Sequence, residues 1–144
     1  MKNRIAFFIV LMIVATNLGF GQSAGVSFVE STTWMKAVKK AKTENKLIFM
    51  DAYTTWCGPC KMLEKRVFPS KELGDFYNKN FVSIRVDMEN GEGPALANIY
   101  TVNAYPTMFF IDPNNGKEIT RIVGYHEVED LLKVAEKVVN KRKK

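Results

Sequence analysis

Cysteine is the residue type in this chain whose number and spacing most directly imply chemistry. There are only two, Cys57 and Cys60, with Gly58 and Pro59 between them and Trp56 and Lys61 on either side. Two thiols so placed can close a disulfide and reopen it, which makes the pair a candidate for two-electron thiol–disulfide exchange. Half a zinc site has the same spacing. A structural zinc usually takes four Cys or His ligands, however, and the chain adds only the distant His126, so no metal is expected. A bridge closing so short a loop removes little entropy from the unfolded chain, which argues against a purely structural cross-link.

The flanking sequence shows how the pair would be held. The apolar run Lys46 to Tyr53 precedes it and reads as a strand; the amphipathic stretch Met62 to Phe68 follows and reads as a helix. Cys57 therefore falls where a strand ends and a helix begins. Pro59 sits in the first helical turn, where its fixed φ suits the helix and its missing N–H leaves no bond unmade. A thiol there faces unpaired N–H groups and the positive end of the helix dipole, both of which favour the nucleophilic thiolate. Asp51 is the one charge inside the strand, six residues before Cys57. A carboxylate buried in such a run has a raised pKa and can exchange protons near neutral pH; the alternative is a solvated acid at a strand end.

Trp56-Cys57-Gly58-Pro59-Cys60-Lys61 resembles the active-site motif of the thioredoxin family, down to the Gly-Pro dipeptide. The resemblance implies that Cys57 attacks a substrate disulfide and that Cys60 resolves the mixed disulfide, leaving a Cys57–Cys60 bridge. It implies that Asp51 helps deprotonate Cys60. It also places Tyr105-Pro106-Thr107 where the family has a cis-proline strand start beside the active-site pair. Trp56, Gly58, Pro59, Tyr105, Pro106 and Gly124 then contact the substrate, Trp56 covering one side (plain packing is its alternative role) and Gly124 letting a peptide backbone approach. No cofactor is needed beyond the cysteine pair. Two departures stand out. Tyr105 is a large aromatic where ordinary thioredoxins have a smaller aliphatic residue. Ser83 stands four residues before Asp87, where they carry a lysine near the buried acid; losing that cation would disturb the proton chemistry of Asp51. The motif followed by Lys61-Met62-Leu63-Glu64 and Val67-Phe68 is more similar to exported thioredoxin-like proteins and to the thioredoxin-like domain of transmembrane disulfide reductases.

The rest of the chain fits that frame. Val26 to Val29 is a short strand candidate, followed by a helix capped by Ser31 or Thr32 and running to about Thr43. After the cysteine helix, Pro69 breaks the pattern and Ser70 can cap a segment Lys71 to Tyr77, with Asn78-Lys79-Asn80 as a turn. Phe81 to Asp87 alternates as a strand; Met88 to Gly93 is a loop, and Pro94 opens a helix to Tyr100. Ala104 to Asp112 and Lys117 to Val123 are strands joined by the turn Pro113-Asn114-Asn115-Gly116, a hairpin signal. A final amphipathic helix spans about Glu127 to Asn140, and His126 just before it reads as a cap or surface residue. This β-α-β-α-β-α-β-β-α order predicts an α/β fold, a mixed central sheet with a C-terminal β-hairpin and helices on both faces. That is the thioredoxin fold.

The 144 residues allow one domain. Residues 1–21 read as a signal peptide: a basic start with Lys2 and Arg4, an unbroken apolar run of eleven from Ile5 to Ala15, then Gly19 and Gly21 at −3 and −1 of a cut before Gln22. Eleven apolar residues are short for a bilayer, so no stable span is expected after cleavage. Residues 22–144 form the thioredoxin-like domain, placed in the periplasm or another extracytoplasmic compartment. The formal charge of +6 loses Lys2 and Arg4 with the leader, and much of the excess lies in Lys141-Arg142-Lys143-Lys144. Without interleaved aromatics this tail does not indicate nucleic acid. Expected partners are protein disulfide substrates and a membrane electron donor or other thiol-redox protein. Three activities remain open: reduction of exported disulfides, their oxidation or isomerisation, and a binding or chaperone role with an idle pair.

Overall fold

The computed structural model describes residues 25–29 and 33–142. The leader and the proposed caps Ser31 and Thr32 lie outside the described residues. The cap of the first helix is Thr33, whose side chain accepts from the Lys36 N–H; α1 then spans Trp34–Thr43. It is followed by β1 (Leu47–Tyr53), α2 (Gly58–Met62) and a π-helical turn (Leu63–Val67). Next come α3 (Lys71–Asn80), β2 (Phe81–Asp87), α4 (Gly93–Tyr100), β3 (Thr107–Ile111), β4 (Glu118–Val123) and α5 (Val128–Arg142).

The sheet order is β2-β1-β3-β4. β1 pairs parallel with β2 and antiparallel with β3, and β3 and β4 form the hairpin. The expected strand at Val26–Val29 is reduced to one parallel bridge, Phe28 to Ser83. Its other N–H groups go elsewhere: Val26 donates to Phe68 O at 2.8 Å and Ser27 to Asn78 Oδ1 at 2.8 Å. The segment is thereby tied to the helical layer more than to the sheet.

Helices cover both faces of the sheet, which is why β1 is a continuous apolar run rather than an alternating one. On one face Leu47, Phe49, Met108 and Phe110 meet Leu63, Val67, Leu73, Tyr77 and Leu131. On the other, Ile48, Met50, Phe109 and Ile111 meet Ala37, Ala41, Leu96 and Tyr100. Phe49 and Tyr77 pack edge to face with centroids 4.8 Å apart, a pairing worth about 0.5–1.5 kcal/mol beyond area burial. The Tyr77 hydroxyl, buried with them, donates to Leu131 O at 3.1 Å, so the core keeps no unpaired phenol.

The cysteine helix leaves α-helical geometry within two turns. Phe68 N donates to Leu63 O at 2.9 Å, the wider bond of a π turn, a feature often found near functional sites. Pro69 stops the helix and Ser70 restarts the chain as α3, its hydroxyl accepting from Leu73 N–H at 3.4 Å. Leu63, Val67 and Phe68 are buried, whereas Met62 is 38% exposed and belongs to the rim. β1 and this helix together carry the cysteines to one end of the sheet, where the chain enters β3.

Candidate active site

β1 delivers the chain to Thr54, and the turn Thr54–Cys57 is closed by Cys57 N–H donating to Thr54 O at 3.2 Å. Cys57 is the N-cap of α2 with extended φ and ψ, and its Sγ accepts from the Cys60 N–H at 3.1 Å. Pro59 lies in the first turn. The two sulfurs are bonded to each other, with Cα atoms 5.4 Å apart. Both cysteines are buried, Cys57 at 3% and Cys60 at 1% exposure. In the reduced state, the same N–H and the helix head would stabilise negative charge on the Cys57 sulfur.

Beside the disulfide stands an aromatic pair, the exposed Trp56 and the half-buried Tyr105. Trp56 is 64% exposed, and its indole N–H donates to the Glu89 carboxylate at 3.0 and 3.1 Å. The Tyr105 ring meets it edge to face at 5.9 Å. The Tyr105–Pro106 peptide is cis. Pro106 O accepts from Gly124 N–H at 2.8 Å, which ties the start of β3 to the end of β4. Gly124 has φ +88°, and neither it nor Gly58 has any neighbouring atom where a Cβ would sit. The surface there is open to an approaching chain.

Asp51 points to the face that the π turn Leu63–Val67 covers. It is fully buried, and the alternation along β1 puts it on the same side as Leu47 and Phe49. Its Oδ2 accepts from Arg85 Nε at 2.9 Å, while Oδ1 has no hydrogen-bond partner. Burial pushes the carboxyl up from its ordinary 3.8 to about 6; Arg85 pulls it down and Glu64 pushes it up. The sequence implied that the acid had lost its cation at Ser83. The structure corrects this: the cation is Arg85, two residues further along the same face of β2. Ser83 lies opposite Phe49 with its hydroxyl buried and unpaired, whereas Arg85 lies opposite Asp51.

The structure thus brings Trp56, Cys57, Gly58, Pro59, Cys60, Tyr105, Pro106 and Gly124 to one end of the sheet, with Asp51 buried two residues before the end of β1. Sequence reasoning missed Arg85, Glu64 and Glu89. For Arg85 a signal existed, because Asp51 and Arg85 occupy the same position counted from the starts of two neighbouring parallel strands. For Glu89, in a loop, there was none. His126 is a surface residue, 3.2 Å from Val123 O and 3.5 Å from Asp130. Among the described residues no group of three or more His, Cys, Asp or Glu could hold a metal, and no helix is long and apolar enough to cross a membrane.

A mixed sheet that presents a Cys-x-x-Cys pair at a helix N-terminus beside a cis-proline defines a class of thiol–disulfide exchange proteins, and the comparisons agree. The family model described as a thioredoxin-like domain matches residues 34–139. Thioredoxin H2 of Arabidopsis thaliana is 34% identical over 110 residues, 76% of this chain and 77% of its own length. A solved structure from Bacteroides thetaiotaomicron, described as a putative disulphide-isomerase, matches with TM-score 0.71 and 43% identity, covering 82% of this chain and 96% of that one. The oxidised C-terminal domain of DsbD from Neisseria meningitidis shares the fold, with TM-score 0.61 and 20% identity over 72% of this chain and 90% of its own. The chain belongs to the thioredoxin family and is a thioredoxin-like disulfide oxidoreductase.

Proposed function

We propose that this oxidoreductase works as an exported reductant of protein disulfides, with Cys57 attacking and Cys60 resolving. The observation that carries the assignment of roles is the Cys60 N–H aimed at the Cys57 sulfur at the head of α2. It singles out Cys57 as the sulfur on which negative charge is stabilised, with Cys60 one turn further in.

The steps follow from that placement. The Cys57 thiolate attacks one sulfur of a substrate disulfide, forming a mixed disulfide and releasing the first substrate thiolate. Asp51 takes the proton of the Cys60 thiol, and the Cys60 thiolate attacks the Cys57 sulfur. The second substrate thiolate leaves, and the Cys57–Cys60 bridge remains. Two electrons pass from the cysteine pair to the substrate, and the protons of the two cysteines balance its two new thiols. No cofactor enters the sequence. Trp56 and Tyr105 wall one side of the substrate, Gly58 and Gly124 leave room for its backbone, and Pro106 fixes the strand start beside which it lies.

The reducing direction is supported by the Gly58-Pro59 dipeptide, of the reducing thioredoxin type. Export is supported by the leader pattern of residues 1–21, which would leave 22–144 as the periplasmic or extracytoplasmic domain. A reductant in an oxidising compartment needs electrons from a thiol-redox partner such as a membrane transducer. One observation favours a second reading, isomerisation: the description of the Bacteroides protein, 43% identical. Trapping tests the roles. Reduced Cys60→Ser protein should accumulate a mixed disulfide through Cys57 with a disulfide-bonded substrate protein, and Cys57→Ser should accumulate none. Trapping through Cys60 in the Cys57→Ser variant would reverse the assignment.

A further inference from the structure

We propose that Arg85 is a positioning residue for disulfide exchange: it holds the buried Asp51 carboxylate ready for the proton of Cys60, and is itself held by Glu64 and Tyr53. This rests on the role for Asp51 given above.

Arg85 grips Asp51 from one side only. Nε donates to Oδ2 at 2.9 Å, and Oδ1 keeps its lone pairs free of any hydrogen bond. The carboxylate is therefore anchored by one oxygen and able to accept a proton on the other. The guanidinium is anchored in turn. Nη1 lies 3.2 Å from Glu64 Oε2 on the π turn of the cysteine helix. Cζ lies 4.5 Å from the centre of the Tyr53 ring and 5.9 Å from the rings of Phe28 and Phe68. A guanidinium does not give up its proton and stacks on aromatic faces. It is thus a fixed charge beside a group that must change charge.

The charges around Asp51 are few. β2 contributes Arg85 and the π turn Glu64, and β3 places the neutral Met108 opposite. Without Arg85 the acid would face Glu64 and an apolar interior, and a buried carboxyl so placed stays protonated well above neutrality. The exposed end of Glu64 links the acid to the surface beside the cysteine helix, so that clamp and nucleophile share one element.

The experiment measures the pH–rate profile for reduction of a disulfide-bonded protein by wild type, Arg85→Met, Arg85→Lys, Asp51→Asn and the Arg85→Met/Asp51→Asn double variant. Arg85→Met should move the rising limb to higher pH by about one unit or more, with about a tenfold loss of rate at pH 7. Arg85→Lys should restore most of the rate. In the Asp51→Asn background Arg85→Met should move the limb no further, since coupled residues are non-additive. If Asp51→Asn leaves the wild-type profile unchanged, the reading of Asp51 fails. If it changes the profile and Arg85→Met does not, the proposal for Arg85 fails alone. An Arg85→Lys profile as shifted as that of Arg85→Met also overturns it. Should Arg85→Met not fold, carboxyl carbon NMR titration of Asp51 decides between wild type and Arg85→Lys: an Asp51 midpoint moved by a full unit or more in Arg85→Lys counts against the proposal, and one within a few tenths supports it.

Discussion

Replacing Asp51 by Asn should make the oxidised protein more stable at neutral and alkaline pH, and the gain should fade in acid. Burial holds the Asp51 pKa at about 6 against an ordinary 3.8, so the fold prefers the protonated acid. The sign follows: this preference stabilises the fold fully below the unfolded value and is lost as pH rises through the folded one. The gap of about two pH units, at 1.36 kcal/mol each, makes the ionised group costly by about 3 kcal/mol at pH 8. That is a large share of the 5–15 kcal/mol of a typical domain. The full burial of Asp51 leaves little solvent to screen the effect. Asn keeps an oxygen for the Arg85 bond and carries no charge at any pH. Urea unfolding of both oxidised proteins between pH 4 and pH 8 should show the stability difference widening by about 2–3 kcal/mol towards pH 8. A constant difference across that range would refute the reasoning, because the carboxyl would then titrate alike in both states. The same variant should slow exchange near neutral pH, which would mark the acid as kept for function at a cost in stability.

Gly93→Ala should lower stability by about 2–3 kcal/mol at unchanged urea m-value. A Cβ there would lie 1.8 Å from Asp87 O and 2.6 Å from Met88 Cα, backbone atoms that cannot swing away; a loss under about 0.5 kcal/mol would contradict the close approach. Trp56→Ala should change stability by no more than about 0.5 kcal/mol, since the side chain is largely exposed. It should nevertheless raise KM for a protein disulfide by about tenfold, as expected for a recognition aromatic, with little effect on a small disulfide reagent. Equal effects on both substrates would remove Trp56 from protein recognition.

The elements were legible where one local signal dominated. The apolar run Leu47–Tyr53, the Gly-Pro dipeptide at the helix head and the Asn-Asn-Gly turn each admit one reading, and each stands where expected. Places where several residues could serve were harder. Ser31, Thr32 and Thr33 are three consecutive hydroxyls, and the cap is the last of them. Asn78-Lys79-Asn80 reads as a turn, yet α3 runs through it. Asn80 donates to Phe76 O at 2.8 Å and Asn78 to Gly25 O at 3.0 Å, so side chains that favour turns are occupied by long-range and end-of-helix bonds. The partner of Asp51 was misplaced because the family pattern drew attention to Ser83, whereas strand register decides which residue faces the acid. The Trp56–Glu89 bond depends on how a loop folds back over the site, and no spacing rule encodes that.

The reductant role rests most directly on the reduction potential of the Cys57–Cys60 pair, measured by equilibrating the protein in graded thiol buffers and trapping free thiols. A value near −270 mV, that of a reducing thioredoxin, is the predicted result, and the electron donor would then be the next partner to find. A value near −120 mV, at the strongly oxidising end of the same scale, would contradict the reductant reading and turn the exchange towards disulfide formation.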